Sequence, residues 1–415
     1  MPATRGTGRT PGLVRRARTA AVILAVATTT AAPVATPPFT GRYVPDRTGH
    51  PCALRAVPGV TMSEGFPPDH SVYARATGRV RALVLFVDFP DAQAPSSAQH
   101  RYREFFPAAT RWFDTSSYGK LDYQPHPVMK YFRMPRSFSA YGVERGYGWP
   151  VHERMMQDLL TVADPEIDFS RYDLVNVLVT PNAGPPAQRS VLSVTWTGAT
   201  AAVSDEGARL DKVSVLYSHD AAGHRVLNHE NAHIFGLPDL YAERDFRRTD
   251  QWAGQWDMMS LDWGLHGDFL AWHKWKLGWI DDRQVDCVYR RGTTEHTVTP
   301  VELPGGTKLV VIPVHDSGAF ALEVRSRHGN DRAGCREGVL LYWVRTDVPS
   351  GQGPVRVLDA NPDTEACSDS SVGFNSRNDA PFGVGQEYRH EPTRTLVKVV
   401  SRDRQGRYTV RVTKG

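Results

Sequence analysis

The sequence predicts an α+β fold, an α/β unit followed by a β-sandwich. Up to about Tyr241, short continuous apolar runs alternate with segments of helical spacing. After Cys287 every patterned segment reads as strand, in short runs separated by Gly, Pro and Asp. The 415 residues also exceed what one hydrophobic core usually organises. With 40% hydrophobic and 23% charged residues the composition is that of an ordinary globular protein, which excludes collagen, coiled coil and wholesale disorder.

The first element is an address. Arg5, Arg9, Arg15, Arg16 and Arg18 stand with no acid among them, and an apolar run follows from Ala20 to Ala27. Small residues then lead to Ala35, so residues 1–35 read as a secretory signal with cleavage expected between Ala31 and Ala35. The apolar run is too short to span a bilayer. Residues 36–77 are Pro-rich and read as a linker or short pro-segment. Ala82–Phe89, closed by Pro90 and Asp91, has the look of a strand buried on both faces. Tyr102, Phe105, Phe106, Trp112 and Phe113 fall at helical spacing and are expected to pack in the core. Ser116–Tyr123 reads as a turn entering a strand, and Val151–Ala163 as a helix that ends before Asp164-Pro165. Tyr172–Thr180 is a second buried strand; Val191–Thr197 and Lys212–Tyr217 are shorter ones. Beyond Cys287 six strand-like runs follow, the last two joined by a hairpin turn at Arg402–Gly406.

Charge and cysteine narrow the classes further. The 49 basic and 45 acidic residues nearly balance, so no strong field points to nucleic acid or an anionic membrane. The four cysteines, Cys52, Cys287, Cys335 and Cys367, read in an exported chain as two disulfides. Cys335 and Cys367 flank one Gly/Asp/Pro-rich stretch and are the expected pair, which leaves Cys52 with Cys287. The competing role for Cys52, a free thiolate capping a metal, is disfavoured by the even count.

One constellation carries chemistry. Residues 229–239 read HENAHIFGLPD. His229 and His233 are four apart, so on a helix both imidazoles leave from one face. Glu230 follows the first histidine, where it can serve as general base; this is the H-E-x-x-H pattern of zinc hydrolases. Gly236 suits the left-handed position that ends a helix, and Pro238 prevents its continuation. The chain must then reverse, which can bring Asp239 back as third ligand and leave a fourth position open. Glu243, Asp250 and Asp257 are the alternative third ligands. In zinc peptidases of this pattern a methionine turn floors the metal, and GQWDMMS offers Met259, or else Met258. No tyrosine follows closely after Met259, so no oxyanion helper is assigned. His219, His224, His266 and His273 lie near the motif and are expected mostly at the surface or satisfied in the core. There is no G-x-S-x-G elbow, P-loop or dinucleotide fingerprint to compete.

HENAHIFGLPDLY, then WDMMS, then FLAWHKWKLGWI (Phe269–Ile280), resemble the immune inhibitor A family of secreted bacterial zinc metallopeptidases. VLFVDFPD, SYGKLDY and DFSRYDLVNVLV resemble that family's opening strands, so the resemblance covers roughly residues 80–285. It implies a zincin-like catalytic domain over 78–286 followed by the β-sandwich over 287–415. It also implies endopeptidase activity on proteins or peptides, one catalytic Zn2+ on His229, His233 and Asp239, and often structural Ca2+. The expectation is a secreted monomer with no nucleic-acid partner and no membrane attachment in its mature form. The rivals are a non-catalytic secreted binding protein and a zinc hydrolase of some other bond.

Overall fold

Strand β1 (Gly78–Asp88) explains the first apolar run, because both of its faces are covered. Ala82, Val84 and Phe86 enter one core, and Leu83, Leu85 and Val87 enter another. The computed structural model describes residues 49–143, 149–183, 193–198, 202–219, 222–265, 267–364, 366–368, 373–374 and 376–415. The expected signal at 1–35, residues 36–48, the start of the Val191 strand and His266 lie outside them.

Among the described residues the architecture is mixed α and β, with three sheets. In the first, β2 (Leu121–Arg133), β1 and β3 (Leu174–Val179) run parallel, as does β5 (Lys212–Leu216). The short β4 (Val194–Thr197) is antiparallel to β5 and closes the order β2-β1-β3-β5-β4 at an edge. The aromatic stripe forms two short helices, α1 (Ala98–Arg103) and α2 (Ala108–Ser116), with Pro107 between them. After α3 (Phe138–Tyr141), α4 (Trp149–Ala163) ends where expected and covers one sheet face with Met155, Met156, Leu159 and Leu160. The other face receives α2 and α5 (His224–Ile234), through Trp112, Phe113, Val226 and Leu227. The last helix, α6 (Ala271–Lys276), carries Trp272 and Trp275 into that same core. No described helix is long and apolar enough to cross a membrane.

The β-rich half forms two facing sheets. One has the order β11-β10-β9-β8-β6, from β6 (Val285–Cys287), β8 (Leu309–His315), β9 (Gly318–Arg325), β10 (Gly338–Arg345) and β11 (Val355–Leu358). The other has the order β12-β13-β14-β7, from β7 (Gly292–Val298), β12 (Glu387–His390), β13 (Thr395–Arg402) and β14 (Tyr408–Lys414). The hairpin turn at Arg402–Gly406 joins β13 to β14, with Gly406 at φ 77°. Val310, Ile312, Leu322 and Val324 meet Val397, Val410 and Val412 between the sheets.

The expected boundary at residue 287 does not divide two cores. Leu309, Val311, Ala321, Leu340 and Tyr342 share one buried cluster with Val226, Phe269 and Trp272 of the first half. The cause lies in the strands of that middle sheet: their apolar residues point both ways, so the sheet needs a partner on each side. Residues 50–77 are likewise part of the fold rather than a detached linker. Cys52 and Leu54 are in the core, Ser63 Oγ donates to Thr346 O at 2.6 Å, and Trp272 Nε1 donates to Glu64 O at 3.1 Å. The two disulfides are Cys52–Cys287 and Cys335–Cys367, as expected, and no free thiol remains. The first of them ties this segment to the start of the β-rich half.

Candidate metal centre

Helix α5 is built to end where it does. Its C-terminal carbonyls are closed by Gly236 N donating to His233 O at 2.9 Å and Leu237 N donating to Ala232 O at 3.0 Å. Gly236 has φ 96°, which favours glycine, and a Cβ there would press on the Tyr73 ring at 3.0 Å. Ala74 N caps Ile234 O from the N-terminal segment at 2.9 Å. Past Pro238 the chain reverses, and Leu240 N pairs with Met259 O at 2.8 Å.

This reversal returns Asp239 to the helix face that carries both histidines. Asp239 Oδ1 lies 3.2 Å from His229 Nε2 and 3.2 Å from His233 Nε2. The three donor atoms lie within 4.8 Å of one another. Bonds of about 2.1 Å to a tetrahedral ion would set such donors about 3.4 Å apart. Of the alternative third ligands, Asp257 binds the backbone of Met259 and Leu270, Asp250 binds Ser376 N, and Glu243 sits exposed against Gly351.

The second nitrogen of each ring decides what the centre demands. His229 Nδ1 is 3.0 Å from Met258 O, and His233 Nδ1 is 2.7 Å from Leu237 O. A carbonyl only accepts, so each Nδ1 carries a proton and each Nε2 faces the centre, free to offer a lone pair to a metal ion or an N–H to Asp239. Two imidazole Nε2 atoms and a carboxylate then converge in a buried place, which favours a positive charge there, metal ion or proton. The charges and burial of the three groups favour the same positive charge. Burial works against protonating His229, yet the hydrogen bond and charge of Asp239 outweigh it and push that ring up to about 10. Burial likewise opposes ionisation of Asp239, but the two imidazoles hold it well below the usual carboxylate range. The donor set therefore fits a metal ion.

Around this triad stand Thr195 and Tyr241, which have no assigned role in the sequence, beside residues that do. Thr195 of β4 donates to Glu230 Oε2 at 2.6 Å and holds that carboxylate on the edge strand. Glu230 is 5% exposed, and burial raises its pKa against the lowering pull of His229 and His233. The Tyr241 ring stacks 6.2 Å from His229, with Asp239 close enough for its charge to act on the phenol. The charge of Asp239, then burial, hold that phenol well above its usual range. Tyr241 stands in the motif itself, two residues past the ligand. Met258 and Met259 are both fully buried; Met258 supplies the carbonyl for His229, and Met259 the carbonyl for Leu240. Of the nearby histidines, His219 is exposed and bonded to Glu104, and His224 opens α5 half-buried. Among the described residues no second such group converges, so the calcium implied by the resemblance has no assigned site.

His273 has a different task. Its Nδ1 is 2.8 Å from Asp257 Oδ2 and its Nε2 is 2.9 Å from Glu64 Oε1, with all three side chains fully buried. Asp257 shapes the methionine turn by accepting from Met259 N at 2.7 Å. The N-terminal segment thus reaches the Met258–Met259 turn, which bonds His229, through one ring. Burial disfavours the His273 cation, but Asp257 and Glu64 outweigh it and raise the ring to about 10. A folded pKa above the unfolded value of 6.5 means stability that is fully present below pH 6.5 and lost as pH rises through about 10. Buried Lys276, beside Glu64 and lowered to about 8 by desolvation, acts in the opposite direction above pH 8. Comparison with His273→Gln cancels the lysine. We expect that variant to unfold at a lower temperature at pH 7, by roughly the 3–5 kcal/mol of a broken buried pair. The gap to wild type should shrink as pH rises through about 10. A constant gap from pH 7 to 11 in thermal melts would remove the charged triad from the explanation.

In comparisons with known proteins, the chain matches no family model and no curated protein.

Proposed function

We propose that the chain is an exported zinc-dependent endopeptidase of the immune inhibitor A kind. The observation that carries this reading is the convergence of His229, His233 and Asp239 with Glu230 beside them on the same helix. Two neutral imidazoles and one carboxylate are a donor set that suits Zn2+ with one position open, as in catalytic zinc sites. When bound, the ion supplies Lewis acidity that polarises a carbonyl and lowers the pKa of water at the site toward neutrality. Glu230, held by Thr195, takes a proton from that water and returns it to the leaving amine. The edge strand β4 pairs only with β5 among the described residues, and an extended peptide can add to its other side. Thr195 then places the general base next to that strand. Export is supported by the basic-apolar start and the two disulfides.

The deciding experiment is metal analysis of the purified mature chain together with digestion of casein and a peptide library. We expect about one zinc per chain, and cleavage that stops with chelator and returns with zinc. A metal-replete chain that cleaves no peptide bond overturns the reading in favour of a binding protein or another hydrolase.

A further inference from the structure

Asp239 is held on its far side by residues that lie more than a hundred positions along the chain. The hairpin loop between β10 and β11 is closed by Arg345 N donating to Pro354 O at 2.8 Å, and its tip reaches the ligand turn. Ser350 Oγ accepts from Asp239 N at 2.9 Å and donates to Asp239 Oδ2 at 3.3 Å. Gly351 N donates to Asp239 O at 2.9 Å, and Glu243 N donates back to Gly351 O at 3.2 Å. Two glycines allow the close approach. At φ 70°, a Cβ on Gly351 would lie 2.7 Å from Glu243 Cβ; at φ 80°, one on Gly353 would lie 2.8 Å from the Trp252 ring. The loop is fitted to the turn from both sides, by backbone and by side chain.

A carboxylate attached through a broad terminal torsion can present either oxygen. Here the Ser350 hydroxyl engages Oδ2, while Oδ1 faces both imidazoles. We propose that the β10–β11 loop is the brace of the third metal ligand and that Ser350 is a positioning residue fixing which Asp239 oxygen faces His229 and His233. The β-rich half is then a working part of the metal centre rather than an appended module. Tyr241 also neighbours Asp239, but from the ligand's own turn, so it cannot tie the two halves together.

The inference rests on the metal reading above, and the test separates the two. Metal affinity of the full mature chain is measured for zinc by competition with a chromogenic chelator, and the visible spectrum is recorded with Co2+ in its place. Outer partners of metal ligands typically contribute 10–100-fold in affinity. Ser350→Ala should therefore bind zinc roughly 10–100-fold more weakly and shift the Co2+ bands, with the metal-free melting temperature lowered only slightly, by the lost acceptor of Asp239 N. Ser350→Thr, which restores the hydroxyl, should recover both. A Ser350→Ala chain with wild-type affinity and wild-type Co2+ spectrum overturns the brace alone. So does one whose affinity falls while its Co2+ spectrum stays that of wild type, since that assigns Ser350 to the fold rather than to the ligand's orientation. A wild-type chain that takes up no metal overturns the metal reading, and the brace with it.

Discussion

Glu230→Gln is expected to abolish peptide hydrolysis while zinc stays bound. Glutamine keeps the shape of the side chain, and its carbonyl oxygen can still accept from Thr195, which donates at 2.6 Å to the carboxylate. What it loses is the capacity to take a proton. The three donor atoms of His229, His233 and Asp239 are untouched by the change. Positioned acid–base groups contribute about 10²–10⁴-fold, so kcat should fall by at least that range. The environment makes Glu230 the only plausible base on this helix face. It is buried beside both ligands, and Asp239 is committed to the imidazoles and Ser350. Turnover near wild type would remove Glu230 from the mechanism. Loss of zinc together with activity would show that the carboxylate shapes the centre instead.

Local patterns made the metal helix legible. The i, i+4 histidines, the glycine at φ 96° and the proline beyond it are short-range signals, and each is realised within α5 and its closing turn. The unbroken apolar run of β1 is also local, because a strand covered on both faces has no polar side to show. Thr195 and Ser350 carry no such signal. One is 35 residues before Glu230, the other 111 residues after Asp239, and each reaches its partner only through tertiary packing. The same holds for Glu64, whose Pro-rich surroundings read as a linker until His273 is found bound to it. The sandwich was visible in its strands, but not its sharing of a core, since alternation does not say what covers the second face of a middle sheet. Tyr241 differs from these: it stands in the quoted motif itself, but spacing alone does not say that its ring comes back to stack on His229.

Asp239→Ala should remove most of the zinc affinity and leave the fold in place. The backbone of the turn is held independently of the side chain, by Asp239 N on Ser350 Oγ, Gly351 N on Asp239 O and Leu240 N on Met259 O. Alanine keeps all three of these bonds. What disappears is the carboxylate 3.2 Å from each Nε2, and with it the only negative charge among the three donors. The remaining pair of neutral imidazoles gives two ligands where a catalytic zinc site has three. The loss should exceed the 10–100-fold of an outer partner and far exceed the ~1 kcal/mol of a lost turn cap. Asp257→Ala supplies the contrast. It strips His273 of one of its two carboxylates and the methionine turn of a backbone acceptor, so it should lower the melting temperature while the donor atoms stay in place. Titration against a competing chelator reads both variants on one scale. If Asp239→Ala keeps stoichiometric zinc and a folded Asp257→Ala loses it, the third ligand is Asp257 and the convergence at Asp239 is an ion pair of the fold.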